Sequence, residues 1–206
     1  MGTGLVGPWR RGKNLSYHPV EKALYAEYSE HIKTSLAKMT STFLPSAPMD
    51  IALYQPDMPP NTGTLLRLGA CMGCPVHVIE PCGFPFSQRA LRRYAMDYGD
   101  QVQLRRHDDW IAFERWRTGA AKRLVLLTTK APLSYGHFSY QTDDVLMVGR
   151  ESAGVPEDVH AAADARVRIP MIPAVRSLNV AISLAMVLGE ALRQTGEFPN
   201  DQETQS

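Results

Sequence analysis

The chain has 206 residues, 44% of them hydrophobic and 21% charged, which suits one α/β domain with a proper core and some tail. A net charge of +1 provides no bulk attraction for nucleic acid, so any such contact must come from a local patch. Three cysteines are too few for a disulfide framework and point to a reducing, cytoplasmic setting, and no apolar run reaches the roughly 18 residues of a membrane span.

Residues 1–48 read differently from the rest. They carry six Lys/Arg and three Asp/Glu, against sixteen and eighteen in the remainder. The start, MGTGLVGPWRRGK, is basic but lacks the apolar stretch of a secretory signal, and Glu21, Glu27 and Glu30 are acids that transit peptides avoid. An amphipathic stretch at 20–38 is followed by TSTFLPSAP and then Met49. The expectation is a flexible extension or leader over 1–48, a natural start at Met49, one domain over 49–195 and a polar tail over 196–206.

From residue 50 onward, short apolar runs alternate with helical patterns. Strands are predicted at 50–54 (DIALY), 75–79 (PVHVI), 102–105, 123–128 (RLVLLT), 144–148 (DVLMV) and 166–169. Helices are predicted at 62–72, 87–97, 108–117, 156–163 and 177–194. Continuous apolar strands separated by helices predict a parallel sheet covered by helices on both faces. The last helix has no charged residue from Ser177 to Gly189, and its apolar side chains spread around the whole circumference. Such a helix must be buried on all sides, which predicts a partner subunit against it, or else a central place within one monomer.

Three segments carry candidate chemistry, each where a predicted strand gives way to a loop or helix, the usual ligand-binding place in α/β proteins. In the first, PPNTGTLLR over 59–67, the prolines stop a strand and Asn61 or Thr62 caps the next helix. Arg67 follows one to two turns in, on a helix otherwise lined by leucines. The second is GRESAGVP over 149–156, whose glycines permit a sharp turn and a close backbone approach to a ligand. It is not a nucleophile elbow, because the residue two before Ser152 is Arg150 rather than glycine. The third is IPMIPAVRSLNVA over 169–181: two prolines fix an extended loop, Ser177 caps the last helix, and Asn179 needs a polar partner as it enters an apolar helix.

Taken in order, these segments resemble the three signature segments of SPOUT 2′-O-methyltransferases. EPCGFPF (80–86), LRRYAMDY (91–98) and LTTK (127–130) resemble the subfamily that modifies the wobble nucleotide 34 of tRNA. The likeness runs from about residue 49 to 195. It implies a parallel sheet with helices on both faces and a deep C-terminal trefoil knot, a cofactor S-adenosylmethionine held between three loops, and a homodimer through the C-terminal helix. It implies methyl transfer to the ribose 2′-hydroxyl of nucleotide 34, cytidine or modified uridine, with the tRNA anticodon stem-loop as partner. Carried onto this sequence, Leu127, Gly149, Ile169, Met171, Ser177 and Leu178 contact the cofactor, with Leu127, Ile169 and Leu178 flanking the adenine. Arg67 is implied as the central catalytic residue, supported by Asn61, Glu151 and Asn179. RNA contact is assigned to Arg89, Arg92 and Arg93 on one predicted helix and to the nearby Arg105 and Arg106. The chain departs from the pattern at Ala153, where members often carry arginine.

A competing reading is a non-catalytic RNA-binding module with a zinc site at Cys71, Cys74, His77 and Cys82, four possible ligands within twelve residues. Against it, the spacing matches no common finger, and the sequence places Cys71 in a helix and His77 in a strand. His107, His137 and His160 lack spaced partners and are expected at the surface or in loops. Trp110 and Trp116 are expected in core or rim. No G-x-G-x-x-G follows any strand, which argues against a Rossmann dehydrogenase.

Overall fold

The structure, a computed structural model, describes residues 49–86, 102–175 and 177–199. The expected extension at 1–48, the predicted helix at 87–97 with Arg89, Arg92 and Arg93, and the tail beyond residue 199 lie outside the described residues.

Seven strands are observed: β1 (Asp50–Tyr54), β2 (Val76–Ile79), β3 (Leu104–His107), β4 (Arg123–Leu127), β5 (Leu133–Ser134), β6 (Asp144–Val148) and β7 (Ala165–Arg168). They form one sheet in the order β3-β2-β1-β6-β4-β7-β5, and every pairing is parallel. Every residue of β1 and β6 is buried, which is why these central strands read as unbroken apolar runs. Among the described residues four α-helices accompany them: α1 (Pro59–Met72), α2 (Trp110–Gly119) and α3 (Glu157–Ala162) between strands, and α4 (Val180–Thr195) after the last strand.

Alternate strand residues enter two separate apolar clusters. Ile51, Leu53, Val76, Val78 and Leu146 pack with Leu65 and Leu66 of α1 and with Leu184, Val187 and Leu188 of α4. Ala52, Tyr54, Ile79, Val145 and Met147 pack with Phe113 of α2 and Val159 of α3. Trp110 and Trp116 sit at the edge of this second cluster. At the start of the strands, Asp144 is fully buried and takes a two-pronged bond from Arg123, 2.6 and 2.8 Å long.

Two helix starts differ from expectation. The prolines at 59 and 60 do not merely end a strand; they open α1, whose N-cap is Met58 with no side-chain cap, and neither Asn61 nor Thr62 serves. Proline suits this place because the first helical N–H groups have no partner within the helix. Likewise Ser177 does not cap the last helix. Asn179 does, accepting from the amides of Ala181 and Ile182 at 2.9 and 3.2 Å.

His107 also departs from expectation. It is buried at the end of β3, not at the surface. Asp50 Oδ1 accepts from His77 Nε2 at 3.2 Å, and on that assignment His77 Nδ1 accepts from His107 Nε2 at 2.8 Å. Lys122 completes the group by pairing with Asp50 Oδ2. The rings stack near Phe113 and Trp116. Burial, then the neighbouring His77 and Arg105, pull the pKa of His107 from 6.5 down to about 4. Between those values the unfolded chain takes up a proton that the folded chain refuses. The resulting stability is therefore complete above pH 6.5 and drains as the pH falls towards 4, by about 3 kcal/mol. His107→Gln, which keeps a donor for His77 but cannot titrate, is expected to flatten the melting-temperature curve over that window. An unchanged slope in the variant would show that other groups carry it.

Candidate active site

The carboxyl ends of β4, β6 and β7 open onto one cleft of about 430 Å³, within the roughly 300–1,000 Å³ usual for small-molecule sites. From β4 and the turn after it come Leu127, Thr128 and Thr129; from the loop after β6 come Gly149, Arg150, Glu151 and Gly154. The loop after β7 brings Ile169 and Met171, and the run into α4 brings Ser177, Leu178 and Asn179. Asn61, at the start of α1, closes one side. All six residues expected at the cofactor therefore line a single hollow, together with Asn61, Glu151 and Asn179. The three backbone bends, far apart in the chain, converge.

Arg67 stands apart. It is exposed on α1 and does not line the cleft. It shares an exposed stripe with Pro60, Thr64 and Cys71, opposite the buried Leu65 and Leu66. Six residues beyond Asn61, it lies about 9 Å further along the helix axis.

The turn that begins at Gly149 is tightly closed on itself. The loop folds back through paired backbone bonds between Arg150 and Gly154, 2.9 and 2.8 Å long. A Cβ on Gly149 would stand only 2.6 Å from the carbonyl carbon of Gly154 and 2.8 Å from its oxygen. Gly154 itself takes a φ of +70°, the left-handed conformation glycine tolerates best. Glycine at 149 is thus required by the closed turn itself, which lines the cleft beside the apolar Leu127, Val148 and Ile169. Mostly apolar walls with a few aimed polar groups suit a small-molecule ligand.

A polar network crosses the mouth. Asn179 Nδ2 donates to Asn61 Oδ1 at 3.0 Å, the partner its position demanded. The Asn61 side chain in turn bonds Glu151, whose carboxyl is pushed above the usual range by burial first and then by its bond to Asp57. Asp57 is a residue the sequence reading missed. It lies between β1 and α1, accepts from the amides of Glu151 (3.2 Å) and Ser152 (3.3 Å) and from the Ser152 hydroxyl, and donates its own amide to Glu151 Oε2 at 3.3 Å. No local pattern marks it, because its partners are more than ninety residues away.

The proposed zinc ligands do not come together. Both ring nitrogens of His77 are engaged by Asp50 and His107, Cys74 is buried and Cys71 exposed. Among the described residues no group of three or more His, Cys, Asp or Glu is disposed to hold a metal ion. Nor is any described helix long and apolar enough to cross a membrane.

A family model described as the SpoU rRNA Methylase family matches residues 48–189. The chain belongs to the SpoU methylase family. A family relative from Beijerinckia indica, named tRNA (cytidine(34)-2'-O)-methyltransferase, is 60% identical over 146 residues, covering 71% of this chain and 91% of the relative. One of the same name from Escherichia coli K12 is 41% identical over 150 residues, covering 72% and 94%. A solved structure described as "Structural insights into the 2-OH methylation of C/U34 on tRNA" matches this SpoU methylase with a TM-score of 0.68 and 35% identity, over 73% of this chain and 97% of that one. An AdoMet-bound rRNA methyltransferase from Sinorhizobium meliloti matches with a TM-score of 0.65 and 28% identity, over 71% of this chain and 56% of that one.

Proposed function

We propose that this chain transfers a methyl group from S-adenosylmethionine to the ribose 2′-hydroxyl of the wobble nucleotide, position 34, of tRNA, taking cytidine or modified uridine. The observation that carries this reading is the convergence of Gly149, Ile169 and Ser177 on one cleft whose mouth holds the Asn179–Asn61–Glu151 network. The similarity at 60% identity to a protein named for this reaction selects tRNA over ribosomal RNA.

Gly149, Leu127, Ile169, Met171, Ser177 and Leu178 would hold the cofactor, with Leu127, Ile169 and Leu178 flanking its adenine. When bound, S-adenosylmethionine supplies an electrophilic methyl on a sulfonium and leaves as a neutral thioether. The protein's share is alignment of the hydroxyl and removal of its proton. Asn61, Glu151 and Asn179 orient the reacting ribose. Arg67 acts as a phosphate clamp and stabilises the forming alkoxide rather than serving as a base, because a delocalised guanidinium gives up its proton reluctantly. The anticodon stem-loop is bound by local basic groups, Arg105 and Arg106 among the described ones.

In our reading the sheet carries helices on both faces, an arrangement supported by the two clusters that its alternating residues enter. The C-terminal part is tied into a trefoil knot. Consistent with this, β4 lies between β6 and β7, and Gln194 of α4 is bonded back to the 138–140 segment at 3.0 and 3.1 Å. Two protomers pair through α4. Its buried side is satisfied within one chain, yet Ile182 and Met186 on the helix, and Leu178 just before it, remain 52%, 38% and 38% exposed. A monomer mass by light scattering would rule that pairing out. The cytoplasm fits three free cysteines.

Mass spectrometry of tRNA nucleosides after incubation with labelled S-adenosylmethionine tests the whole reading. The label is expected in a 2′-O-methylated pyrimidine at position 34. Label on a base, or in ribosomal RNA alone, would overturn it.

A further inference from the structure

We propose that Asp57 is a positioning residue for the reaction: it clamps Glu151 against the start of α1 and makes the Glu151 carboxylate the acceptor of the ribose 2′-hydroxyl proton. This deepens the methyltransferase reading and rests on it.

The geometry of the clamp is reciprocal. Each of the two acids accepts from the other's backbone amide, Asp57 Oδ1 from Glu151 at 3.2 Å and Glu151 Oε2 from Asp57 at 3.3 Å. Ser152 adds its amide and hydroxyl to Asp57 Oδ2. Asp57 cannot back away, because Gly83 of the 80–86 loop lies directly behind it. A Cβ there would meet Asp57 Cβ at 2.7 Å and Cα at 2.9 Å, and the Gly83 amide donates to Pro56 O at 2.9 Å. Glu151 is thus fixed at the cleft mouth from one side by Asp57 and from the other by Asn61, itself held by Asn179.

The electrostatics follow from that geometry. The bond from Glu151 is the chief cause that holds Asp57 down to about 2, helped by the Ser152 hydroxyl and the two amides. Asp57 therefore stays ionised, and ionising Glu151 sets two carboxylates face to face. Burial and Asp57 raise the proton affinity of Glu151, while Asn61 and the backbone amides lower it. The neighbouring Arg150 holds its guanidinium over the Tyr54 ring, 6.0 Å from the centroid. A carboxylate whose proton affinity is lifted towards working pH is a stronger base. In the step itself the O–H bond breaks and the proton goes to a Glu151 carboxylate oxygen; the pair left on the ribose oxygen forms the new bond to the methyl carbon as the methyl–sulfur bond breaks and its pair goes to sulfur.

The test is a carbon-13 NMR titration of the full-length chain labelled at glutamate side-chain carboxyls, with Glu151→Gln assigning the resonance. In the native protein Glu151 is expected to titrate above the ordinary glutamate range. Asp57→Asn should lower that midpoint by about one pH unit, and Asp57→Glu, which keeps the charge, should retain most of the shift. On tRNA, the acid limb of the Asp57→Asn rate profile should move to lower pH in parallel. Its kcat at neutral pH should fall roughly tenfold while affinity for S-adenosylmethionine stays within about twofold. An unchanged Glu151 midpoint in Asp57→Asn overturns the proposal. So does an equal loss of rate in Asp57→Asn and Asp57→Glu that merely tracks a lower melting temperature. Because the titration needs no substrate, it still decides the Asp57–Glu151 coupling if the native protein methylates no tRNA. In that case the functional reading fails, and the proton-acceptor role falls with it.

Discussion

Arg67→Ala is expected to reduce tRNA methylation about a thousandfold, equivalent to about 4 kcal/mol of transition-state stabilisation, while S-adenosylmethionine binds as before. The two halves of this expectation come from different observations. Arg67 does not line the cleft, so removing its side chain leaves the cofactor walls intact. It does lie on the same helix as Asn61, on an exposed stripe that a ribose-phosphate backbone can reach. In the role proposed for it, a guanidinium there would grip a substrate phosphate with two donors. Arg67→Lys should recover little, since a point charge lacks the planar fork. The helix itself should survive, because alanine is the best helix former and the position is exposed. Single-turnover rates and calorimetric cofactor binding on the same preparations are the measurements. Near-native turnover in Arg67→Ala would reduce the residue to a surface charge.

Gly149→Ala should do the opposite, removing cofactor binding at its source. The new methyl would have to occupy space already held by the backbone of Gly154, at 2.6 to 2.9 Å. No rotamer can relieve a clash with main chain. The loop must open, breaking the paired bonds between Arg150 and Gly154 and withdrawing Glu151 from the mouth. We expect affinity for S-adenosylmethionine to fall roughly a hundredfold, about 2.7 kcal/mol, with turnover lost alongside. Isothermal titration calorimetry reads this directly. Undiminished affinity would mean that the 149–154 turn is no wall of the cofactor site.

Much of the fold was legible where a single local force dominates. β1 and β6 were read at their observed bounds because full burial on both sides leaves an unbroken apolar run. β5 went unseen: two residues, Leu133 and Ser134, carry no period at all. The start of α1 was misread because proline both ends strands and opens helices, and only the following backbone tells which. His107 looked like a surface residue for want of a spaced partner, yet its partner His77 lies thirty residues back on the neighbouring strand. The candidate site was legible in its loops, since glycine and proline mark bends wherever they fall. Asp57 was not, because an acid after a strand means nothing until the 149–154 loop is laid against it.

The strand order also governs how the molecule can be made. β1 lies beside β6, so residue 50 waits for residue 145 before the middle of the sheet can exist. The bond from Asn179 to Asn61 closes later still, across 118 positions. A chain emerging from the ribosome can therefore assemble β1, α1 and β2 early, but those pieces hold a half-made edge until β6, some two thirds of the way along, arrives. The cleft itself closes only once Ser177, Leu178 and Asn179 have been made, so a chain stopped before them lacks one of its walls.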